Sequence, residues 1–271
     1  IVIESIHQSS LNMALRCGEQ LRRRYFLNEI IPPSIAACRG TGVHSANKIN
    51  LRQKIQTKSD LSLSDIKDAT RDGYIAATQK NGVFLTREDQ SAKKRLLNEG
   101  LEDALRCAKV YRELVAPKLQ PIAVEEKFTI DVGLSLLLAG IMDYQEVPRI
   151  GDLKTTTKTW PENRIHQEIQ PVFYSFVHEH EKKIRPEFIY HILVARRGKT
   201  GPTSEALQEQ TMTATDGDYR ALVAKLRMFC KIVEMGIFVP ANPTSWWCSE
   251  KWCGYYLTCP YQGKVPSKKR I

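Results

Sequence analysis

The pattern of apolar and polar positions divides the chain into two textures. In "SSLNMALRCGEQLRRRYFLNEI", Leu11, Leu15, Leu21 and Tyr25 recur at helical spacing behind a serine cap candidate, which predicts a helix over about 10–28. A second helix is expected to begin near 34 and pass through "GTGVHSANKINLRQKI", where Gly40 and Gly42 permit close packing. Helical periodicity continues over 62–80 and over 86–118, where Pro117 stops it. The period then shortens. "AVEEKFTIDV", "SLLLAGIMDY" and "VPRIGDLKTT" predict a meander of strands with a turn at "QEVPR". "ENRIHQEIQPVFYSFVHEH" reads as a helix despite Pro171, and "PEFIYHILVARR" as an internal strand, because both of its faces are apolar. "TSEALQEQTM" reads as a variable connection, and "DGDYRALVAKLRMFCKIVEMG" as a last long helix. The expected fold class is α/β (α+β) in one domain spanning 1–271. A mainly helical part occupies 1–120, a sheet core 121–200, and a C-terminal helix with a Cys-rich tail 201–271.

Composition narrows what such a fold would act on. Of 271 residues, 42% are hydrophobic, enough for a sizeable core. Forty Lys and Arg against thirty Asp and Glu give a net charge of +10, which favours nucleic acid or anionic lipid as partner. The basic clusters are scattered over several elements and form no single amphipathic face, which disfavours a membrane surface. The longest apolar run, "VGLSLLLAGIM", is too short to cross a bilayer and ends at an aspartate. The opening "IVIESIHQSS" lacks a basic leader and a cleavage site, so a cytoplasmic setting, in a bacterium or a phage-infected cell, is expected. "ARRGKTG" contains G-K-T, but Leu193 stands where a phosphate-binding loop needs glycine, so a helicase activity would belong to another polypeptide.

Asp143 and Asp152 lie nine positions apart on either side of the "QEVPR" turn, with Lys154 two positions beyond the second. Two carboxylates clustered in an apolar sheet repel and lose hydration, and a divalent cation with oxygen ligands relieves both costs. Residues i and i+2 of a strand share a face, which aims Lys154 at the same place as Asp152. A cation, a lysine and two carboxylates suit phosphodiester hydrolysis. The competing reading makes all three solvated hairpin residues.

The order of motifs goes further. Gly140 to Asp143, Gly151 to Thr155, and Gln170 to Tyr174 form G-I-M-D, G-D-L-K-T and Q-x-x-x-Y. Upstream stand "HQSSLNMALRCGEQLRRRYF" and "GTGVHSA". This series resembles the RecB-like branch of the PD-(D/E)XK nucleases, which includes RecB and AddB nuclease domains, CRISPR-adaptation nucleases and phage exonucleases. The resemblance spans most of the chain; it departs at Gly18, where that branch usually has proline. It implies a restriction-endonuclease-like core and an Mg2+- or Mn2+-dependent DNA exonuclease of phage or prophage recombination type. A single-strand annealing protein or a separate helicase would be its partner. By the same resemblance His44, Asp143, Asp152 and the backbone carbonyl of Leu153 would hold the metal. Lys154 would be the catalytic lysine, and Gln170 and Tyr174 would face the site and the DNA backbone. A sequence-specific endonuclease on the same core, and a non-catalytic DNA-binding recombination protein, stay as alternatives. Glu125 and Glu126 read equally as an ordinary charged strand start.

Seven cysteines include three in the tail, Cys248, Cys253 and Cys259. Iron-sulfur members of the branch join one cysteine of the first helix to three at the C-terminus, which implies a 4Fe-4S cluster on Cys17, Cys248, Cys253 and Cys259. The gap between Cys248 and Cys253 is wider than that branch usually shows, and zinc or no metal remain open. Cys38, Cys107 and Cys230 are expected to be ordinary thiols. Trp246, Trp247, Trp252, Tyr255 and Tyr256 are expected to pack around the tail rather than to stack on bases, although single-strand binders do use such rings.

Overall fold

The computed structural model describes residues 3–262; the basic "KVPSKKR" segment read from the sequence lies outside them. The chain opens with a short strand β1 (Ser5–Ile6) and the helix α1 (Gln8–Arg16). Its N-cap is His7, with Ser10 closing a capping box, and not a serine as the sequence suggested. The helix expected over 10–28 is broken at Cys17, which is extended at φ −164°. It resumes as α2 (Gly18–Leu21), followed by a π turn over Arg22–Phe26. The break has a packing cause. The Gly18 amide donates to the Val239 carbonyl at 2.7 Å, and a β-carbon on Gly18 would lie 2.6 Å from the Val239 nitrogen, so the C-terminal segment runs against this point.

Three helices follow: α3 (Ile35–Thr57), α4 (Leu63–Lys80) and α5 (Lys93–Val110). Ser34 and Ser62 cap the first two by accepting from backbone amides of the first turn. The last begins later than its periodicity implied and runs on as a π turn over Tyr111–Val115.

The sheet is mixed and holds six strands. They are β1, β2 (Ala123–Ile130), β3 (Leu137–Gln145), β4 (Arg149–Thr156), β5 (Glu187–Gly198) and β6 (Gly201–Thr213). The helix α6 (Ile169–Lys182) connects β4 to the parallel β5, and α7 (Asp216–Met235) follows β6. One apolar layer packs one face of the sheet against α1, α6 and α7, through Leu11, Phe173 and Phe229 among others. A second packs the opposite face against α3 and α5, through Val43, Cys107 and Leu153.

Two details of the sheet bear on the site. β2 pairs along most of one edge of β3. On the other edge β1 pairs only at Leu137 and Leu138, and β4 only at Tyr144 and Gln145, so the edge between them is unpaired and β3 and β4 splay apart. The stretch read as a variable connection is the edge strand β6, antiparallel to β5. Its apolar alternation is hidden because Gln208 and Gln210 face inward and bond the loop before α6. Gln208 exchanges hydrogen bonds with the Trp160 backbone at 2.8 and 2.9 Å, while Gln210 accepts from Ile165 N and donates to Pro161 O.

Candidate active site

The splay of β3 and β4 makes a cleft, and α3, β3, β4, β5 and α6 turn side chains into it. Gly151, before the second aspartate, leaves room for Tyr144 on the partner strand, since a β-carbon there would sit 2.0 Å from the tyrosine hydroxyl. Asp152 and Lys154 then share the face of β4 that looks at α6, with Lys154 Nζ 2.7 Å from Asp152 Oδ2. From the first turn of α6, Gln170 donates Nε2 to Asp152 Oδ1 at 2.6 Å and accepts from Lys154 Nζ at 2.8 Å. Tyr190, opposite Asp152 on β5, donates its hydroxyl to the same Gln170 oxygen at 3.2 Å and holds its ring 5.2 Å from Lys154 Nζ.

Asp143 ends the unpaired stretch of β3. Its Oδ2 lies 3.0 Å from His44 Nδ1 on α3 and accepts from the Leu153 amide at 3.4 Å. The helix α3 is fixed at this height by Arg39, which donates to the Thr155 hydroxyl and carbonyl at 3.2 and 3.1 Å. Opposite Asp143 on β2, Glu125 has a left-handed backbone, φ 49°, and takes Lys48 at 2.6 Å. The side chain of Glu126 pairs with Gln145.

The charges are strongly interdependent. Burial pulls the His44 imidazolium down, but the charge and hydrogen bond of Asp143, with a contribution from Asp152, hold it up at about 9. Burial likewise works against ionised Asp143, yet His44, Lys154 and the Leu153 amide keep it below its usual value. Burial and the neighbouring Asp143 push Asp152 up to about 6 against the pull of Lys154. Burial, with the charges of Asp152 and Asp143, raises the Tyr174 phenol well above its ordinary range, and its ring packs edge-on against Phe128 and Phe173.

Asp152 is 4% exposed, which rules out the solvated-hairpin reading. Its Oδ2 meets Lys154 at ion-pair distance but off the angles of a hydrogen bond, so this buried oxygen has no directed donor. An imidazole, two carboxylates and an orphaned carboxylate oxygen fit the hard divalent cation that the sequence motifs imply. As the side chains stand, no three His, Cys, Asp or Glu residues are grouped to hold a metal among the described residues. Two partners of the site could not be read from spacing. Tyr190 reaches Gln170 only because β5 lies parallel to β4 in a register that sequence does not state, and Lys48 is one helical turn from His44 on a face that carried no motif.

Near the N-terminal end of α3 the tail and the first helices meet. Cys17 Sγ accepts from the Ala241 amide at 3.3 Å, and Gln20 Nε2 donates to Cys253 Sγ at 3.1 Å. Burial raises the Cys248 thiol, and Cys253, Cys259 and Cys17 add to the rise. Cys38, Cys107 and Cys230 are buried. Tyr255 packs as expected, whereas Trp246 and Trp252 stand out in solvent.

Fold and cleft together define a mixed α/β protein with N-terminal helices followed by a six-stranded mixed sheet flanked by helices. In backbone it is similar to the crystal structure of a "Putative exonuclease" from Eubacterium rectale, with a TM-score of 0.57 and 13% sequence identity over 88% of this chain and 84% of that one. No protein-family model and no curated protein matches the chain. No described helix is long and apolar enough to cross a membrane.

Proposed function

We propose that the chain is a divalent-metal-dependent deoxyribonuclease of the RecB-like PD-(D/E)XK branch, acting as an exonuclease. The observation that carries this reading is the convergence of His44, Asp143, Asp152, Lys154 and Gln170 in one cleft from α3, β3, β4 and α6. The shared fold with the Eubacterium rectale protein and the net charge of +10 support it.

His44, Asp143 and Asp152 would hold the cation, with the Leu153 carbonyl as a backbone ligand. When bound, the cation supplies Lewis-acid charge to the phosphate and to the attacking water. The protein's own contribution is positional. Lys154 sets a positive charge at the edge of the cleft, where it would meet the negative charge that builds on the oxygens of the pentacoordinate phosphorus. Gln170 ties Lys154 to Asp152, so that neither drifts when DNA enters. Tyr174 closes the α6 side of the cleft.

Hydrolysis of linear duplex DNA should require Mg2+ or Mn2+ and vanish in Asp143→Ala and Asp152→Ala. Lys154→Ala should lose hydrolysis by about a hundredfold or more while binding DNA within a few-fold of the parent, because lysine acts mainly on the transition state. Undiminished cleavage in EDTA would sink the proposal. Covalently closed circles should survive; their cutting at one defined sequence would favour the endonuclease alternative.

A 4Fe-4S cluster on Cys17, Cys248, Cys253 and Cys259 would join residues more than two hundred positions apart, and it is supported by the contacts of Cys17 with Ala241 and of Gln20 with Cys253, although the four thiols are not grouped as the side chains stand. Anaerobically purified protein should be brown and contain iron, and Cys17→Ser should bleach it. A colourless protein holding zinc would replace that cluster with a thiolate zinc site.

A further inference from the structure

The tail carries an aromatic surface that the catalytic cleft does not use. Trp246 is 66% exposed and Trp252 55%, an uncommon state for the largest apolar side chains. Their ring centroids are 5.2 Å apart with planes at 88°, so they do not close on one another face to face. Lys251 holds its ammonium 5.5 Å from the Trp252 centroid, adding positive charge at the ring. The neighbouring acid Glu250 is neutralised by Arg87, which reaches it from side chain and backbone. Just beyond the described residues, the sequence over 263–271 holds Lys264, Lys268, Lys269 and Arg270 and no acidic residue.

The platform is anchored rather than loose. Gly254 packs on Ile31, and Arg87 ties the segment to the loop after α4. Both anchors flank Ser34, which caps α3 and bridges to Phe84. His44 lies ten residues farther along that helix, about 15 Å by its rise. The exposed rings therefore sit toward the end of α3 that leads to the cleft.

We infer that Trp246 and Trp252 form a stacking platform for single-stranded DNA, engaging unpaired bases of the same substrate whose phosphate enters the cleft. This rests on the nuclease reading. Exposed aromatic rings accept any base, and Lys251 sets a positive charge at the Trp252 ring while Arg87 neutralises Glu250, which fits a polyanion with unpaired bases better than duplex DNA, whose bases are already stacked. A protein partner or a second copy of the chain would use the apolar area but would leave this charge unanswered.

The test is binding in EDTA of labelled single-stranded dT20 and of a matched duplex. For the parent protein, dT20 should quench tryptophan fluorescence. Trp246→Ala and Trp252→Ala should each weaken dT20 binding about tenfold, with duplex binding changed less than twofold, and Trp252→Phe should recover part of the loss. Thermal melting of each variant checks that it folds. Unchanged dT20 affinity in a folded double variant overturns the proposal, as does a dimer that the substitutions disperse. Tryptophan-dependent dT20 binding without hydrolysis in Mg2+ or Mn2+ would keep the platform and remove the nuclease. Hydrolysis with tryptophan-independent binding would remove the platform alone.

Discussion

Gln170 is the residue on which the cleft turns, because its amide has a donor end on Asp152 and an acceptor end on Lys154 and Tyr190. No charged residue can serve both ends. Gln170→Glu keeps the acceptor for Lys154 but sets a second negative charge against Asp152, and Gln170→Leu removes both bonds. Each should lower kcat by ten- to a hundredfold while KM for DNA changes little, with the glutamate worse; a KM-only effect in steady-state kinetics would show that Gln170 merely touches substrate. A second residue, His191, behaves differently. It is 3% exposed, and its Nδ1 lies 3.1 Å from Glu209 but off hydrogen-bond geometry, leaving both ring nitrogens without a partner. Burial outweighs Glu209 and lowers it to about 4. Because the folded value is below the unfolded 6.5, the unfolded chain takes up the proton first. Stability is full above pH 6.5 and falls as pH drops toward 4, by up to about 3 kcal/mol. His191→Phe, which can keep the stack on Tyr144, should lose less melting temperature than the parent between pH 7.5 and 5; equal losses in both would show that His191 does not titrate there. Asp143, Asp152 and Lys154 were singled out by their spacing, which alone left a solvated hairpin open, whereas His44 and Gln170 were singled out only through the resemblance in motif order. Tyr190 was singled out by neither, because its place depends on strand register.

At the level of elements, His44 is only as well placed as the contact between α3 and α4. A β-carbon at Gly42 would lie 2.7 Å from the Thr70 carbonyl, whereas one at Gly40 would meet only the Thr155 hydroxyl at 3.7 Å. Gly42→Ala should therefore push the helices apart, destabilise by about 1–3 kcal/mol and reduce hydrolysis, since His44 is two residues away. Gly40→Ala should stabilise by up to about 1 kcal/mol through helix propensity. Matching melting curves for the two variants would contradict this packing. The elements that sequence mistook each depend on a partner distant in the chain. Periodicity assumes that a buried position is apolar, yet β6 buries Gln210 by bonding it to the loop at Pro161 and Ile165. Likewise the first helix continues its apolar spacing through Cys17 although the distant Val239 backbone breaks it there.

Across the whole molecule, the first helices and the tail hold each other. Arg23, nearly buried, donates to Thr258 at 2.8 Å and to the Tyr255 carbonyl at 3.4 Å, and its guanidinium lies 4.8 Å from the Tyr255 ring centroid. Tyr255 returns a bond to the Glu29 carbonyl at 2.6 Å. Arg23→Ala should release the tail, seen as new protease cleavage beyond residue 236 and a loss of about 1–3 kcal/mol, with the cleft intact. A digestion pattern identical to the parent's would place the strength of this contact elsewhere. The pairing of β1 with β3, Ser5 against Leu137, carries the same long reach into the history of each molecule. Leu11 and Leu21 belong to an apolar cluster that is completed by residues of the sheet and of α6 and α7, such as Leu138, Phe173 and Phe229. On a ribosome these residues emerge before the strands and helices they pack on, and must wait in water until those elements follow. A nascent polypeptide of this design offers those leucines to chaperones until α7 has been made.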